Sequence, residues 1–418
     1  MTPSAWLSGS VGENDNTTTG EDFTVNTVQI SKHVWWAGVK DPDLRVFDIV
    51  MPTQYGTTYN AYVVRGEKTA LIDTVKKQFS AEYFAKVESL VPLDAVDYLI
   101  VNHTEPDHSG AIAELLKQSP KLQIVCSGAA LPFVRNVLND DTPLTTVKDD
   151  AVIDLGGVTL KFKIMPYMHW PDTMMEFCPE DKVLFSCDGF ASHLSGESVF
   201  DEDTRVDLPR EMKYYFDAIM RPFSGYIRRN MPKLDGLDID MVAPSHGPVL
   251  RKYAAQFIQD YRDWTVDKLA GAPRVTIFYV SNYGNTGLLA EAIDKGLTEA
   301  GLKTDLVELS TCPVEKAQDL IERSAAILIG TPTFNSDAPR PVWDLMNLFS
   351  TVYSIGKKAA VFGSYGWGGE GTKLIAERLS SMKLKVYPET YRARLIPSAK
   401  EMTEVHDFAR KVAEFVRE

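Results

Sequence analysis

From Arg274 onward the sequence alternates between short apolar runs and amphipathic stretches, and few folds tolerate that grammar. The runs RVTIFYVS, KTDLVELS, AAILIGTPTFN and KKAAVFGSYGW are interleaved with stretches of helical periodicity at 287–300, 314–323, 341–350, 370–382 and 400–417. A run that is apolar on nearly every residue must be covered on both faces, and strands separated by whole helices pair in parallel. Residues 271–418 are therefore expected to form a doubly wound parallel sheet.

The chain before this point reads differently. The segments HVWWAGV, YNAYVVRGEKTALIDT, VDYLIVNHT, KLQIVCSG, VTLKFKIMPYMHW, DKVLFSCDGF and MVAPSHG are short strand-like runs divided by turns, with helical stretches at 80–91, 109–118, 129–138 and 209–231. Nothing repeats at a fixed period. A long amphipathic helix over 250–269 stops at Gly271 and Pro273, the punctuation of a helix end and a domain boundary. Residues 1–25, rich in Ser, Thr, Gly, Asn and Asp, carry no apolar periodicity and read as a mobile N-terminal extension. The expected organisation is thus 1–25 extension, 26–270 first domain and 271–418 second domain, which a chain of 418 residues can support with separate cores.

Charge and cysteine usage narrow the partners. The 57 acidic against 44 basic residues give a net charge of −13, which disfavours nucleic acid and anionic membrane surfaces. The excess is uneven: residues 271–418 carry 18 of each sign, leaving 26 basic and 39 acidic before them. No apolar run reaches the roughly 20 residues that span a bilayer, and the first basic residue is Lys32, so neither a membrane span nor a cationic leader is expected and the protein is read as cytoplasmic. Cys126, Cys178, Cys187 and Cys312 form no Cys-x-x-Cys pair, which leaves no rubredoxin-like or zinc-ribbon module and points to reduced thiols.

The stretch NHTEPDHSG places His103, Glu105, Asp107 and His108 on a loop between a strand and a helix. A polar loop can be no more than a solvated turn, but His169, Asp188 and His246 also follow apolar strands directly. Several strand ends that each offer an imidazole or a carboxylate suit a metal better than a core. A bundle-type di-iron site is disfavoured, because Glu105-Pro-Asp-His108 matches the required Glu-x-x-His string only once and contains a proline. His33 and His406 read as surface or packing residues, and His193 as either structural or pocket-lining.

Order, residue type and spacing together resemble one family. His103-x-Glu105-x-Asp107-His108, then His169 after 60 intervening residues, Asp188 after 18 more and His246 after 57 more, is similar to the metallo-β-lactamase superfamily in its flavodiiron, or A-type flavoprotein, branch. The resemblance covers about residues 26–418. It implies a metallo-β-lactamase-like αββα sandwich followed by a flavodoxin-like sheet, with two iron ions in the first. Zinc hydrolases of the superfamily usually carry a second histidine where this chain has Glu105, and an anionic oxygen donor there suits iron. The resemblance further implies that His103, Glu105 and His169 hold one iron, that Asp107, His108 and His246 hold the other, and that Asp188 bridges them. Many relatives read Asp-Ala-Phe where this chain has Asp188-Gly189-Phe190.

In the second half, Ser281, Asn282, Tyr283, Gly284, Asn285 and Thr286 lie between a strand and a helix, where free backbone N–H groups and hydroxyls favour a phosphate. Two further strand ends, Thr331-Pro332-Thr333-Phe334-Asn335 and Ser364-Tyr365-Gly366-Trp367-Gly368-Gly369, would flank it with aromatic faces and open backbone. Together these resemble the FMN site of the flavodoxin fold. FMN is favoured because no Gly-x-Gly-x-x-Gly dinucleotide fingerprint occurs.

A flavin joined to two irons implies an oxidoreductase that reduces dioxygen to water, or nitric oxide to nitrous oxide at the same site. The electrons would come from an external donor, such as a rubredoxin-like protein, a flavin reductase or a reduced deazaflavin. The family resemblance implies a head-to-tail homodimer or a dimer of dimers. A zinc-dependent hydrolase fused to a flavodoxin, and an oxygen or flavin sensor without turnover, stand as the alternatives.

Overall fold

The computed structural model describes residues 25–269 and 273–418. The expected N-terminal extension, save Val25, and the Gly271 boundary lie outside the described residues. The first half is a two-sheet sandwich. One sheet has seven strands in the order Val28–Gln29, Val34–Trp36, Tyr62–Arg65, Thr69–Ile72, Tyr98–Val101, Gln123–Ser127 and Leu144–Val147, and the other has five, running in chain order from Val152–Asp154 to Met241–Pro244.

Side-chain alternation explains the layering. In the central strands, Val64, Ala70, Ile72, Ile100 and Val125 point to the space between the sheets, where they meet Phe162, Met174, Val183 and Phe185. Their neighbours Val63, Leu71, Leu99 and Ile124 point outward into a cluster with Tyr83, Val87, Ile112 and Leu115 from the covering helices. Each Val, Leu, Ile, Phe or Met side chain among these, once fully buried, contributes about 1.5–3 kcal/mol. The sandwich is therefore closed on both outer faces, and its functional groups emerge at strand ends.

The second half is a parallel sheet in the order Lys303–Glu308, Arg274–Tyr279, Ala326–Pro332, Lys358–Tyr365, with Lys385–Val386 and Tyr391–Arg394 both pairing with Lys358–Tyr365. This is the doubly wound topology expected from the sequence. The helices Asn285–Glu299, Val314–Arg323, Arg340–Asn347, Glu370–Ser381 and Ala399–Arg417 lie within two or three residues of the predicted ranges.

Three sequence expectations needed correction. The helix predicted at 250–269 spans only Ala254–Trp264. Leu250 instead exchanges backbone hydrogen bonds with Val242, and the Asp201 carboxylate accepts the backbone N–H groups of Arg251, Lys252 and Tyr253, so the chain is tied down before it can coil. The predicted helix at 209–231 is broken into Leu208–Tyr215, a wide turn at Phe216–Met220, a tight one at Arg221–Phe223 and Ser224–Asn230, with Pro222 at the break. The strands Leu144–Val147, Val152–Asp154, Met174–Cys178, Lys385–Val386 and Tyr391–Arg394 are not evident in the sequence; in MMEFC the buried Glu176 interrupts the apolar run.

An ionic junction connects the halves. Arg221 donates to both oxygens of Glu322, at 2.6 and 3.0 Å, and Lys268 reaches Glu322 and Asp319 at 2.7 and 3.1 Å. The Arg221 and Glu322 side chains are only 13% and 11% exposed, so removing one leaves the other poorly solvated. Glu322→Ala is expected to cost about 1–3 kcal/mol in denaturant unfolding, whereas Glu315→Ala, exposed on the same helix, stays within about 0.5 kcal/mol.

Candidate metal centre and flavin cleft

The strand Tyr98–Val101 delivers the loop that begins at Asn102, and Pro106 opens a single helical turn, Pro106–Ser109. In the sequence alone, Pro106 argues against a helix here. Pro106 occupies the first helical position, where its missing N–H is no loss and its φ is already helical. Ser109 tightens the turn by donating to the carbonyls of Thr104 and Glu105 at 2.8 and 3.0 Å. Glu105 precedes the turn while Asp107 and His108 lie on it, so one loop presents donors in two directions.

The remaining groups arrive from the second sheet. His169 follows the strand Thr159–Ile164, Asp188 follows Val183–Cys187, and His246 follows Met241–Pro244. The last two strands pair in parallel, which brings Asp188 and His246 to the same sheet edge. Left-handed backbone at Cys187 (φ 50°) and Phe190 (φ 61°) flanks Asp188, at a cost of order 1–3 kcal/mol each. Hydrogen bonds hold this bend: Ser186 Oγ to the Gly189 carbonyl at 2.6 Å, Phe190 N–H to Tyr261 Oη at 3.1 Å and Ser245 N–H to the Cys187 carbonyl at 2.8 Å. Gly189 fits because a Cβ there would lie 2.5 Å from Met175 Cε and 3.0 Å from the Ser186 carbonyl.

All seven predicted residues come together in one buried cluster. Asp188 Oδ2 faces His169 Nε2 and His103 Nε2 at 3.4 and 3.7 Å, while its Oδ1 faces His108 Nε2 and His246 Nε2 at 3.3 and 3.5 Å. Glu105 Oε2 completes the first side, 3.1 Å from His103 and 3.5 Å from His169. Asp107 completes the second, 3.4 Å from His108 and 3.3 Å from His246. The donor atoms of His103, Glu105, His169 and Asp188 lie within 4.8 Å of one another, as do those of Asp107, His108 and His246. The carboxylate of Asp188 thus stands between two donor sets.

The cluster is incomplete without cations. Both oxygens of Asp107, Nε2 of His108 and Oδ2 of Asp188 are buried and lack a hydrogen-bond partner among the described residues. Orphaned atoms of this kind are expensive unless an ion meets them. A mixed imidazole and carboxylate set on two sides of one carboxylate fits a pair of iron ions. Cys187 also lies near His108 and Asp188, but burial, and then the Asp188 charge, raise its thiol well above the ordinary range and keep it protonated.

Neighbouring groups orient two of the imidazoles and the central carboxylate. His103 Nδ1 meets Asp172 Oδ1 at 3.1 Å, and Asp172 Oδ2 accepts from the backbone N–H and hydroxyl of Thr104 at 2.9 and 2.6 Å. His246 Nδ1 donates to the Thr58 carbonyl at 2.6 Å, and Ser245 Oγ donates to Asp188 Oδ1 at 2.8 Å. These contacts leave Nε2 of His103 and His246 facing the centre. Sequence reasoning missed Asp172, Thr58 and Ser245, although Asp172 and Ser245 lie within three residues of a predicted ligand. His193 is buried beside Phe47 and Tyr215, with ring centroids 4.1 and 5.0 Å away, and burial followed by the His246 charge holds its pKa well below the ordinary value. His33 pairs with Asp181 and His406 with Glu299, both outside this cluster.

The flavin cleft forms where three parallel strands end side by side. Gly284, at φ 85°, precedes the helix Asn285–Glu299 and leaves its first N–H groups without a side-chain cap, although Ser281 Oγ accepts from Gly287 N–H at 3.0 Å. Thr286 and Ser364 share a hydrogen bond of 2.8 Å across the cleft floor. Asn282, Tyr283, Asn285, Thr286, Pro332, Thr333, Phe334, Ser364, Tyr365 and Gly366 line the cleft. Ser281, Gly284, Thr331, Asn335, Trp367, Gly368 and Gly369 do not line it; Thr331 is buried behind it, and Trp367 is exposed at its rim. Leu395 is an additional lining residue that the sequence reading lacked, since one exposed leucine after a strand carries no signal. Uncapped helix N–H groups, two hydroxyls and open aromatic faces fit a phosphate-bearing flavin.

Comparison with known proteins agrees with this geometry. A model described as ODP family beta lactamase matches residues 57–247 and a flavodoxin model matches residues 277–406. The chain is 38% identical over 402 residues to the type A flavoprotein fprA of Rhodobacter capsulatus, covering 94% of this chain and 92% of that protein. It is 32% identical over 396 residues to a nitric oxide reductase of Moorella thermoacetica, covering 92% and 98%. The rubredoxin oxygen:oxidoreductase structure from Desulfovibrio gigas superimposes with a TM-score of 0.66 at 26% identity, covering 94% of this chain and 99% of that one.

The charges predict a distinctive pH response. Without cations, burial opposes charge on the histidines. Hydrogen bonds to Asp172 and Glu105 at His103, the Asp107 field at His108 and the Asp188 hydrogen bond at His169 outweigh it and raise each pKa to about 10. Unfolded histidine titrates near 6.5, so this stabilisation is complete below about pH 6.5 and is lost as pH rises toward about 10. Ligation needs neutral imidazole, so protons and metal compete. Chelator-treated protein should melt at progressively lower temperature across that window, and ferrous ion added near neutral pH should release protons, read by calorimetry in buffers of different ionisation enthalpy. A flat melting profile and buffer-independent heats would contradict the assignment.

Proposed function

Because the chain belongs to the flavodiiron family of type A flavoproteins, which are oxidoreductases, we propose that it reduces dioxygen to water at a di-iron centre. The observation that carries this reading is Asp188, whose two oxygens face separate donor sets, one of them containing Glu105. His103, Glu105 and His169 would hold one iron, Asp107, His108 and His246 the other, and Asp188 would bridge. When bound, the irons supply Lewis acidity and electrons to a diatomic, and FMN in the second domain supplies the electrons that restore them. Four electrons and four protons convert dioxygen to two waters. Two electrons and two protons would couple two nitric oxide molecules to nitrous oxide and water. That second reading is supported by the nitric oxide reductase relative and uses the same residues.

The chain's own part is to fix ligands and exclude water. Asp172, the Thr58 carbonyl and Ser245 orient His103, His246 and Asp188, so the donors need not reorganise as charge changes. Phe47, Tyr215 and His193 pack against the His246 side of the site and keep it dry. The domain limits proposed are 26–270 for the di-iron half and 271–418 for the flavin half.

A head-to-tail homodimer, singly or paired into a dimer of dimers, completes this reading. Asp48 stands exposed between the strands of the hairpin Val46–Phe47/Met51–Pro52, where partial desolvation and then the Glu105 and Asp107 charges raise its pKa. The same hairpin exposes Ile49 (94%) and Val50 (81%), while the flavin half exposes Tyr283 (87%), Trp367 (69%) and Ile396 (76%). Apolar side chains left bare on both halves are the mark of surfaces that a second copy covers. Electrons would enter from a separate donor such as a rubredoxin-like protein, a flavin reductase or a reduced deazaflavin. The net charge and the four free cysteines suit a cytoplasmic setting. No helix among the described residues is long and apolar enough to cross a membrane.

Anaerobically reduced protein should consume dioxygen, and nitric oxide in a parallel sample, with iron and FMN both present in the same preparation. Zinc in place of iron together with hydrolysis of a thioester or phosphodiester would favour the hydrolase alternative, and reduced protein that consumes neither gas would favour a sensor. Glu105→His should lose iron on dialysis and lose at least about tenfold in turnover; unchanged iron content and turnover would count against the ligand set.

A further inference from the structure

His193 lies outside the proposed ligand set. Its Nδ1 sits 2.9 Å from Thr57 Oγ1, and the same hydroxyl lies 3.5 Å from Nδ1 of His246. The two rings meet edge-on, with centroids 5.1 Å apart and planes at 60°. On His246, Nδ1 is committed to the Thr58 carbonyl and Nε2 faces Asp107 and Asp188. Both rings turn Nδ1 toward Thr57 and Nε2 away from it, and the Nε2 of the neighbouring His246 meets the carboxylates. His193 Nε2 is buried and has no hydrogen-bond partner among the described residues. Leaving such an atom unmet costs about 1–3 kcal/mol, so its retention calls for a ligand.

Thr57 also sets which nitrogen carries the proton. Its single hydroxyl hydrogen can go to His193 Nδ1 at 2.9 Å or to the Thr58 carbonyl at 3.3 Å, and that carbonyl already accepts from His246. Donation along the shorter contact would make Nδ1 the acceptor and place the ring proton on Nε2. We infer that His193, positioned by Thr57, is a ligand-binding residue whose Nε2–H donates a hydrogen bond to a small anionic or diatomic ligand held at the metal pair. This inference rests on the di-iron reading, and it adds a group that recognises the ligand without touching a metal.

Azide is a suitable probe because it is a small linear anion that needs no turnover. In the iron-loaded, FMN-containing oxidised protein, Gln at this position puts an N–H near the place of Nε2, whereas Asn reaches only the place of Nδ1. His193→Gln should keep azide affinity within about threefold, and His193→Asn should weaken it about tenfold, the loss of one hydrogen bond to a charged group. The antisymmetric azide stretch should shift in His193→Asn and hold in His193→Gln, with iron and FMN content equal to wild type in both. Thr57→Val keeps His193 but removes the hydroxyl that orients it. It should weaken azide about threefold and shift the stretch, which decides the matter should His193→Asn fail to fold. Wild-type affinity and stretch in His193→Asn or, if that variant does not fold, in Thr57→Val would overturn the inference. Loss of iron in both His193 variants would also overturn it, by making the ring a ligand. A wild-type protein that holds no iron would instead sink the di-iron reading itself.

Discussion

Three carboxylates and four imidazoles share one nearly dry pocket, and Asp188 lies at its centre with an oxygen turned to each side. Burial alone would drive these groups to neutrality. Mutual attraction wins instead: Asp188 and Glu105 are held well below the ordinary carboxylate range by their histidines, against the cost of burial. A cluster with this charge pattern and with orphaned Asp107 oxygens is built around cations. The left-handed backbone on either side of Asp188 and the hydrogen bonds that hold it follow from the need to keep that one carboxylate in place.

The surrounding fold is organised to meet the same need. Strands from both sheets end at the cluster, so the donors stand on rigid elements, while Asp172, Thr58 and Ser245 fix the direction of His103, His246 and Asp188. The second half repeats the logic with different chemistry. Three parallel strand ends and an uncapped helix start present hydroxyls and free N–H groups to an anion. Arg221 and Glu322 then tie the two halves at a point that both contribute.

How much of this was legible in the sequence follows from what is local. Apolar periodicity marks the parallel sheet, and residue type just after strand ends marks the seven side chains that cluster and the loop that opens the cleft helix, because both signals are short-range. What depends on distant partners was hidden. The start of the helix at Ala254 depends on Asp201, some fifty residues earlier, and Pro106 reads as a helix breaker until its place at the first helical position is seen. Asp172 looks like any loop aspartate until His103 and Thr104 are seen to meet it, and the environment of His193 comes from Phe47, Thr57, Tyr215 and His246 on separate elements. Leu395 lines the flavin cleft only because Tyr391–Arg394 pairs with Lys358–Tyr365.

Asp188 is proposed to couple two iron ions. Mössbauer spectroscopy with parallel electron paramagnetic resonance on iron-57-loaded, oxidised protein tests it most directly. A bridged pair of ferric ions gives antiferromagnetic coupling, seen as a diamagnetic Mössbauer pattern at low temperature with no resonance from isolated high-spin ferric ion, and Asp188→Asn should uncouple or empty it. Magnetically isolated iron in the wild-type protein, or a filled site that proves to be zinc, would contradict the account.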